Sequence, residues 1–462
     1  MAEITIQKVK EILEREEAAF EKDRPKSRAL FEEAKKNFVG GVPMSWMRIW
    51  PGGFPIFVDK AVGARITDVD GHEYLDLCLG DTGALPGHAN PDIIDAIGKQ
   101  IKNGFTHMLP TEDAVWVGKE LEKRFGLPYW QVLMTASDAN RMALKAAREV
   151  TGRRKILAFN MCYHGSVDET LCVNFFGNMM HIPGSLGPIT DSPNQTTKIV
   201  EFNDVPALEE ALAPEDVAVV IAEPVMTNVG IIFPEPGFHD ALREITRKTG
   251  TLLLIDETHC ICGGPAGMTA ELGLDPDIFV LGKPIAGGYP AAVLGLTEDI
   301  ARKLEKRVPW HMFFGFGGTL SGNAAAVAGI RAALTHVLTK ETFARTVPLA
   351  EKMEKGIADI IAEFGLDWYV ARIGCRVEFR FMANPPKNGM ETLSEVPYNP
   401  VDPFEEGLTG PLEALIHVYC ANRGIILTPV HEMALVGPTT TEEDVDNYVA
   451  SIRGLVEELT SD

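Results

Sequence analysis

The chain has 462 residues, of which 45% are apolar and 23% charged, with a formal net charge of -22. That length exceeds one small core and predicts two or three lobes. The acidic balance argues against nucleic acid and against membrane surfaces as partners, because both reward clustered Lys and Arg.

The amino end, MAEITIQKVKEILEREEAAFEKD, has the charged pattern of a helix rather than of a signal peptide, and no apolar run is long enough to cross a bilayer. Residues 1 to about 38 predict two amphipathic helices broken near Pro25, followed by the loop Gly40-Gly41-Val42-Pro43. PIFVDKAVGARITDVDGHEYLDLCLG then reads as strand, with Asp70-Gly71 supplying a hairpin turn. From about residue 112 to 334 buried strands alternate with helices. QVLM, KILAFN, DVAVVIAE, TLLLID, DIFVLG and AAVLGL are the strands, the β-α-β signature of a mostly parallel sheet. After a helical stretch over about 322 to 362 the pattern turns to a smaller α+β lobe. It is interrupted by MANPPKNGMETLSEVPYNPVDPFEEGLTG, which predicts a long surface loop. The expected organisation is an N-terminal segment 1–80 joining the small lobe, a large domain 81–334 and a C-terminal small domain 335–462. Seven cysteines, an odd number without metal-ligand spacing, predict reduced thiols, a cytoplasmic protein and no metal; Cys260-x-Cys262 alone does not make a zinc site.

Two strand ends carry the chemistry. TLLLIDETHC delivers Asp256 and FVLGKPIAGG delivers Lys283 into turns at the carboxyl ends of buried strands, where open α/β sheets bind ligands. A lysine amine opposite a carboxylate suits pyridoxal 5'-phosphate, the lysine forming a Schiff base and the aspartate keeping the ring nitrogen protonated. The plainer alternative is a strand-end cap and a surface lysine. Met134-Thr135-Ala136-Ser137-Asp138-Ala139-Asn140 joins a strand to a helix, and small residues at a helix start expose N–H groups to an anion. Taken alone, the segment is better explained by a simple N-cap by Ser137 or Asp138, which nearly every helix has. Gly317-Gly318-Thr319-Leu320-Ser321-Gly322-Asn323 is a second glycine-rich turn of this kind. In Tyr163-His164-Gly165 the ring could stack on a flat cofactor while the glycine leaves room. Glu223, before Pro224, puts a further acid at a strand end.

The ordered set ASDAN, YHG, EPV, IDET, LGKPIAGG and GGTLSGN resembles the class III (subgroup II) aminotransferases, fold-type I enzymes, over about residues 25 to 455. Within them it is similar to the glutamate-1-semialdehyde aminomutases and the neighbouring β-amino-acid aminotransferases. The resemblance implies an α/β fold with a mostly parallel central sheet, helices on both faces, and a smaller α+β lobe from both termini. It implies that Lys283 is the Schiff-base lysine and proton shuttle, that Asp256 pairs with the pyridinium nitrogen and that Tyr163 stacks on the ring. It further implies phosphate binding by Ala136 and Ser137 of one subunit and Thr319 of the other, hence a homodimer with sites at the interface. Glu223 would join the polar network behind the ring, and Thr258 stands where the family often has a valine against the far ring face.

Substrate residues are less well marked. Arg48, in Trp46-Met47-Arg48-Ile49-Trp50, lies near the place of a substrate-carboxylate arginine in the aminomutases; the alternative is an arginine stacked on Trp46 or Trp50. The two tryptophans suggest a roomy, aromatic pocket. Glu432 aligns with an active-site glutamate, or is a solvated loop acid. The chain departs from the aminomutase pattern at Met134-Thr135-Ala136-Ser137-Asp138-Ala139, usually N-S-G-T-E-A. It departs again at Asp256 to Gly264, where the usual D-E-V-x-x-G-F-R has an arginine and this chain has none. The expected activity is transfer of an amino group from an amine or a β- or ω-amino acid donor to a small keto acid acceptor. Glutamate-1-semialdehyde 2,1-aminomutation, and racemisation or epimerisation, are the alternatives within the enzyme class. A non-catalytic binding protein on the same fold would have no chemical reason to keep both Lys283 and Asp256.

Overall fold

The computed structural model describes residues 4–182, 185, 193–307, 315–393 and 410–461. Its chain divides into two compact units. The larger is formed by the described residues of Pro91–Lys340 with Pro386–Leu393, the smaller by those of Met1–Asn90, Glu341–Pro385 and Ser394–Asp462.

The larger unit is built on a seven-stranded sheet. Its spatial order is Tyr129–Leu133, Ala292–Leu296, Ile278–Leu281, Leu252–Asp256, Val217–Ala222, Lys155–Phe159 and Thr197–Val200. All neighbours pair in parallel except Ala292–Leu296, which is antiparallel to both strands beside it. That reversal has a simple cause. Residues 282–291 hold one short turn of helix, too little for the crossover that a parallel return needs. Every residue of Val217–Ala222, Ile278–Leu281 and Ala292–Leu296 is buried, so both faces of the sheet are covered, which is why these strands read as continuous apolar runs. Each buried Val, Leu or Ile contributes on the order of 1.5–3 kcal/mol, and Leu254→Ala at its centre would cost roughly 2–5 kcal/mol.

The edge strand Thr197–Val200 was not expected from the sequence. TKIV is short and follows a polar stretch, and its alternation is too brief to register. It pairs with Lys155–Phe159, whose end is fixed by Phe159, Phe202 and Phe238 with ring centroids 4.6–5.7 Å apart. The helical stretch after residue 322 is interrupted. Ala324–Ala332 passes into a π-turn at Ala333–Val337, and the long helix Lys340–Phe364 follows, assigned to the other unit from Glu341 on.

In the smaller unit, helices Ile6–Asp23 and Pro25–Ala34 meet at Arg24. This arginine is buried and donates to Tyr74 Oη (2.8 Å), Asn422 Oδ1 (3.0 Å) and the Ala421 carbonyl (2.9 Å). Pro25 stands at the first turn, where its missing N–H costs nothing. Asp70-Gly71 does form the hairpin turn between Arg65–Asp68 and Glu73–Asp76, with Gly71 at φ +102°. The Asp70 carboxylate also accepts from the Lys26 and Ser27 N–H groups. A second sheet joins Tyr369–Ile373, Arg376–Arg380 and Met433–Leu435. The last helix, Glu442–Thr460, starts with a capping box between Thr441 and Asp444. Of the predicted surface loop, residues 394–409 lie outside the described residues, and Met390–Leu393 form a short 3-10 turn.

Candidate active site

Because all the larger unit's sheet strands but one run the same way, their carboxyl ends share one edge of the sheet. Five of these ends deliver the residues singled out above. Leu133 leads to Ala136 and Ser137, Phe159 to Tyr163, Ala222 to Glu223, Asp256 closes its own strand and Leu281 leads to Lys283. Asp256 and Lys283 come from adjacent parallel strands, with Asp256 in register with Val280. Two bonds tie the turns that carry them: Glu257 N–H to the Val280 carbonyl at 2.8 Å, and Gly282 N–H to Thr258 Oγ1 at 3.2 Å. Lys283 sits at φ +45°, a left-handed conformation that a non-glycine residue keeps only where its surroundings impose it.

Asp256 is 5% exposed. Its Oδ2 accepts from Asn140 Nδ2 at 2.8 Å and meets His164 Nδ1 at 2.9 Å, while Oδ1 accepts from the Thr258 N–H at 3.1 Å. Burial opposes its charge, but the hydrogen bond and charge of His164, with those from Thr258 and Asn140, outweigh burial and hold the carboxyl down at about 2. A buried anion prepared in this way is ready for a cationic partner at the sheet edge.

The helix Ala136–Thr151 is capped by Thr135, whose Oγ1 accepts from Asp138 N–H at 3.1 Å, and not by Ser137 or Asp138. Ala136 and Ser137 are thereby left as its first two residues. Two glycines let other turns close on them. A Cβ at Gly282 would lie 2.8 Å from Ala136 Cβ; one at Gly165 (φ +83°) would overlap Ser137 Oγ and sit 2.9 Å from its Cβ. Gly165 therefore makes room for Ser137, and Ser166 N–H donates to Ser137 Oγ at 3.0 Å. Tyr163 is half-buried and Thr258 buried. Buried Glu223 turns back on its own loop, accepting from Thr227 Oγ1 and, at 3.4 Å, from Thr227 N–H. Thr319 is exposed on the turn before the helix Ala324–Ala332, where Ser321 Oγ accepts from Gly318 N–H at 3.1 Å.

The three substrate candidates belong to the smaller unit. Arg48 is exposed and its guanidinium lies 5.1 Å from the ring centre of Phe31, so the ring beneath it is neither Trp46 nor Trp50. Trp46 is 44% exposed. Glu432 is fully buried, which removes the reading of a solvated loop acid.

Three residues at the sheet edge were given no role from sequence: Asn140, His164 and His259. Asn140 had a readable signal. It lies one turn beyond Ala136, on the face where Ala139, Ala143, Leu144 and Ala147 are buried, and a lone polar residue on such a face calls for a partner. His259 stands 2.5 Å from Lys283 Nζ through its Nε2.

Residues 49–364 match the family model of the Aminotransferase class-III. The chain belongs to this family. Glutamate-1-semialdehyde 2,1-aminomutase of Methanosphaera stadtmanae is 32% identical over 440 residues, covering 92% of this chain and 97% of that one. Among solved structures, a glutamate-1-semialdehyde-aminomutase of Pseudomonas aeruginosa PAO1 is 44% identical with a TM-score of 0.93 over 99% of both chains, and a lysine-to-alanine variant of it is known in complex with PMP. A β-phenylalanine aminotransferase of Variovorax paradoxus is 25% identical with a TM-score of 0.84 over 97% of both chains. The fold is fold type I, and the cofactor of this member of the class III family is pyridoxal 5'-phosphate. The donor set fits that group. The sheet edge offers an ionised buried carboxylate for a pyridinium N–H, a half-buried amine for an aldehyde and a capped helix start for a phosphate.

Proposed function

We propose that the protein moves an amino group between the carbons of small amino-carbonyl compounds, as an aminomutase acting on glutamate 1-semialdehyde or a close analogue. The observation carrying this reading is the likeness to the P. aeruginosa aminomutase over 99% of both chains at 44% identity. When bound, pyridoxal phosphate supplies an electron sink for the pair left behind as a substrate carbon loses its proton. The roles of the chain's own residues are proposed from their geometry and from the family resemblance. Asp256 would keep a proton on the ring nitrogen. Lys283 Nζ would hold the cofactor through its aldehyde and, as a free amine, take a proton from one substrate carbon and return it to another. Ala136 and Ser137 would bind the phosphate, Tyr163 and Thr258 would face the ring, and Glu223 would order the turn beside it. Arg48, Trp46 and Glu432 are the candidates for gripping the rest of the substrate.

A second reading is intermolecular transfer, from an amine or a β- or ω-amino acid to a small keto acid. It is favoured by the segment Asp256 to Gly264, which lacks the arginine of the usual pattern, and by Trp46 and Trp50 flanking Arg48. One experiment separates the two. Glutamate 1-semialdehyde is supplied alone, and the isomer with nitrogen on the terminal carbon, 5-amino-4-oxopentanoate, is sought. Its formation without any keto acid supports aminomutation. Turnover of a plain amine that needs a keto acid, with no isomerisation, supports the second reading.

We also propose a homodimer with sites at the interface and a cytoplasmic location. Met108 and Leu109 are 79% and 71% exposed, and Phe105 and Leu320 are also exposed. The Phe105 carbonyl accepts from Ala324 N–H at 3.1 Å, next to the turn that carries Thr319. An apolar surface of this kind supports a buried partner face. Sedimentation finding a fully active monomer would refute the dimer. The seven cysteines are all buried free thiols, which supports a reducing compartment. Among the described residues no helix is long and apolar enough to cross a membrane.

A further inference from the structure

Glu432, in the smaller unit, follows a stretch of backbone that few side chains tolerate. Val430 sits at φ +60°, a left-handed conformation in which a β-branched residue persists only when the structure around it over-determines it. The turn over residues 428–432 joins the strands Ile425–Ile426 and Met433–Leu435. Its first residue is held from outside, since the Thr428 carbonyl faces Nε2 of buried His417 at 2.8 Å. Its far end is held by one residue twice over. Glu378, buried in the strand Arg376–Arg380, stands in register with Met433, and its Oε1 meets His431 Nδ1 at 2.9 Å. The two neighbours of Glu432 are therefore fixed by the same residue, one through the sheet and one through a side chain.

The Glu378 carboxylate is built to keep this hold. Arg376 Nη2 donates to its other oxygen, Oε2, at 2.9 Å, and both side chains are 1% exposed. Burial opposes the charge, but the charges and hydrogen bonds of His431 and Arg376 outweigh burial and hold the carboxyl down at about 2. An ionised carboxylate only accepts, so His431 Nδ1 carries the hydrogen, and it can do so in the neutral ring and in the cation alike. No proton has to move for the bond to form. Glu432 is fully buried, and a side chain in a close-packed interior points where its backbone sends it. We infer that His431 is a positioning residue for Glu432: its bond to Glu378 closes the strained turn and fixes the backbone from which the Glu432 carboxylate is aimed. This inference rests on the proposed part of Glu432 in gripping the substrate.

The test uses the full-length protein. His431→Asn keeps a donor in the place of Nδ1, while His431→Phe keeps a flat ring without one; His431→Ala stands in for the latter if the phenyl ring prevents folding. In the apo protein, amide hydrogen exchange over residues 430–433 should quicken about tenfold in His431→Phe and stay within about threefold of wild type in His431→Asn. The second readout is kcat/KM for glutamate 1-semialdehyde, or for a β-amino acid with a keto acid where that compound is not turned over. It should fall about tenfold in His431→Phe and recover in His431→Asn. In a Glu432→Gln background the loss should vanish, so that the double variant is as active as Glu432→Gln alone. A histidine that merely braces the fold would lower activity by the same factor in both backgrounds. That result would overturn the inference, as would unchanged exchange in His431→Phe and His431→Ala. The reading beneath it fails separately: Glu432→Gln as active as wild type removes Glu432 from the substrate, while the exchange comparison, which needs neither cofactor nor substrate, still decides whether His431 holds the turn.

Discussion

His164 Nδ1 lies 2.9 Å from Asp256 Oδ2, the same oxygen that accepts from Asn140 Nδ2 at 2.8 Å. One carboxylate oxygen is thus held by two side chains while the other accepts only the Thr258 N–H among the side-chain and backbone bonds described. The consequence is an aspartate that stays ionised throughout any physiological range, since its carboxyl is held down at about 2. Its folded-state value is depressed, so the stability it contributes is fully present above the ordinary value of 3.8 and disappears as pH falls through about 2. Asp256→Asn keeps the shape and loses the charge. It should lower single-turnover proton abstraction about 10²-fold or more, with little change in melting temperature at pH 7. A variant as fast as wild type would show that the charge is not needed.

Lys283→Ala removes the amine that the turn after Ile278–Leu281 carries at this sheet edge. The absorbance of the covalently linked cofactor should be absent, and turnover should drop by roughly 10²–10⁴-fold, the usual contribution of a positioned acid–base group. The readout is the spectrum after dialysis against pyridoxal phosphate. If the variant stays active and keeps the band, another lysine makes the link.

Gly165→Ala tests whether close packing at the helix start builds the phosphate cup. The added methyl would overlap Ser137 Oγ, and φ +83° is strained for alanine in any case. Overpacking of this kind typically costs about 1–3 kcal/mol. If Ser137 is displaced, the cofactor should dissociate at least tenfold more easily, measured by titrating apo protein. Unchanged affinity would separate Ser137 from phosphate binding.

How far the sequence reaches is visible in particular residues. Asp256 and Lys283 could be read because each ends a wholly apolar run, and a polar group breaking such a run has few structural reasons to be there. Pro25 and Asp70-Gly71 could be read because proline and left-handed turns leave local signatures. Three features were not readable. The reversal of Ala292–Leu296 depends on the length of a connection rather than on residue type. The edge strand Thr197–Val200 draws its stability from one neighbour. The placement of His164 and Asn140 on one carboxylate oxygen joins positions far apart in the chain, and only the sheet order brings them together. The ring under Arg48 was misjudged for the same reason, since Phe31 comes from a separate helix.

Arg48 offers a test of substrate class. It is exposed and its contact with Phe31 is a cation–π pair at 5.1 Å, worth about 0.5–1 kcal/mol at such a site. Arg48→Ala should therefore leave stability nearly unchanged. If it binds a carboxylate, kcat/KM for a carboxylated substrate should fall about ten- to a hundredfold while that for a plain amine stays put. Equal losses for both substrates would assign Arg48 to the local fold instead.

Glu257, next to Asp256 in sequence, gives a prediction about alkaline conditions. Its carboxylate accepts from the Met268 N–H at 2.6 Å, the Thr269 N–H at 2.9 Å and Thr269 Oγ1, yet complete burial outweighs these bonds and the charge of Asp256 adds to it, pushing the carboxyl up to about 8. The sign follows from linkage. An acid whose folded-state value is raised holds its proton in the native state while the unfolded chain releases it. Its contribution is complete below the ordinary value of 4.5 and is lost as pH rises toward about 8, with a local slope of about 1.4 kcal/mol per pH unit. Glu257→Gln cannot titrate. Denaturant unfolding of both proteins between pH 5 and 9 should show the variant with a flatter profile, gaining on the wild type as pH rises. Parallel profiles would mean that Glu257 is ionised in the folded protein and that the hydrogen bonds at the start of the Gly267–Glu271 helix outweigh its burial.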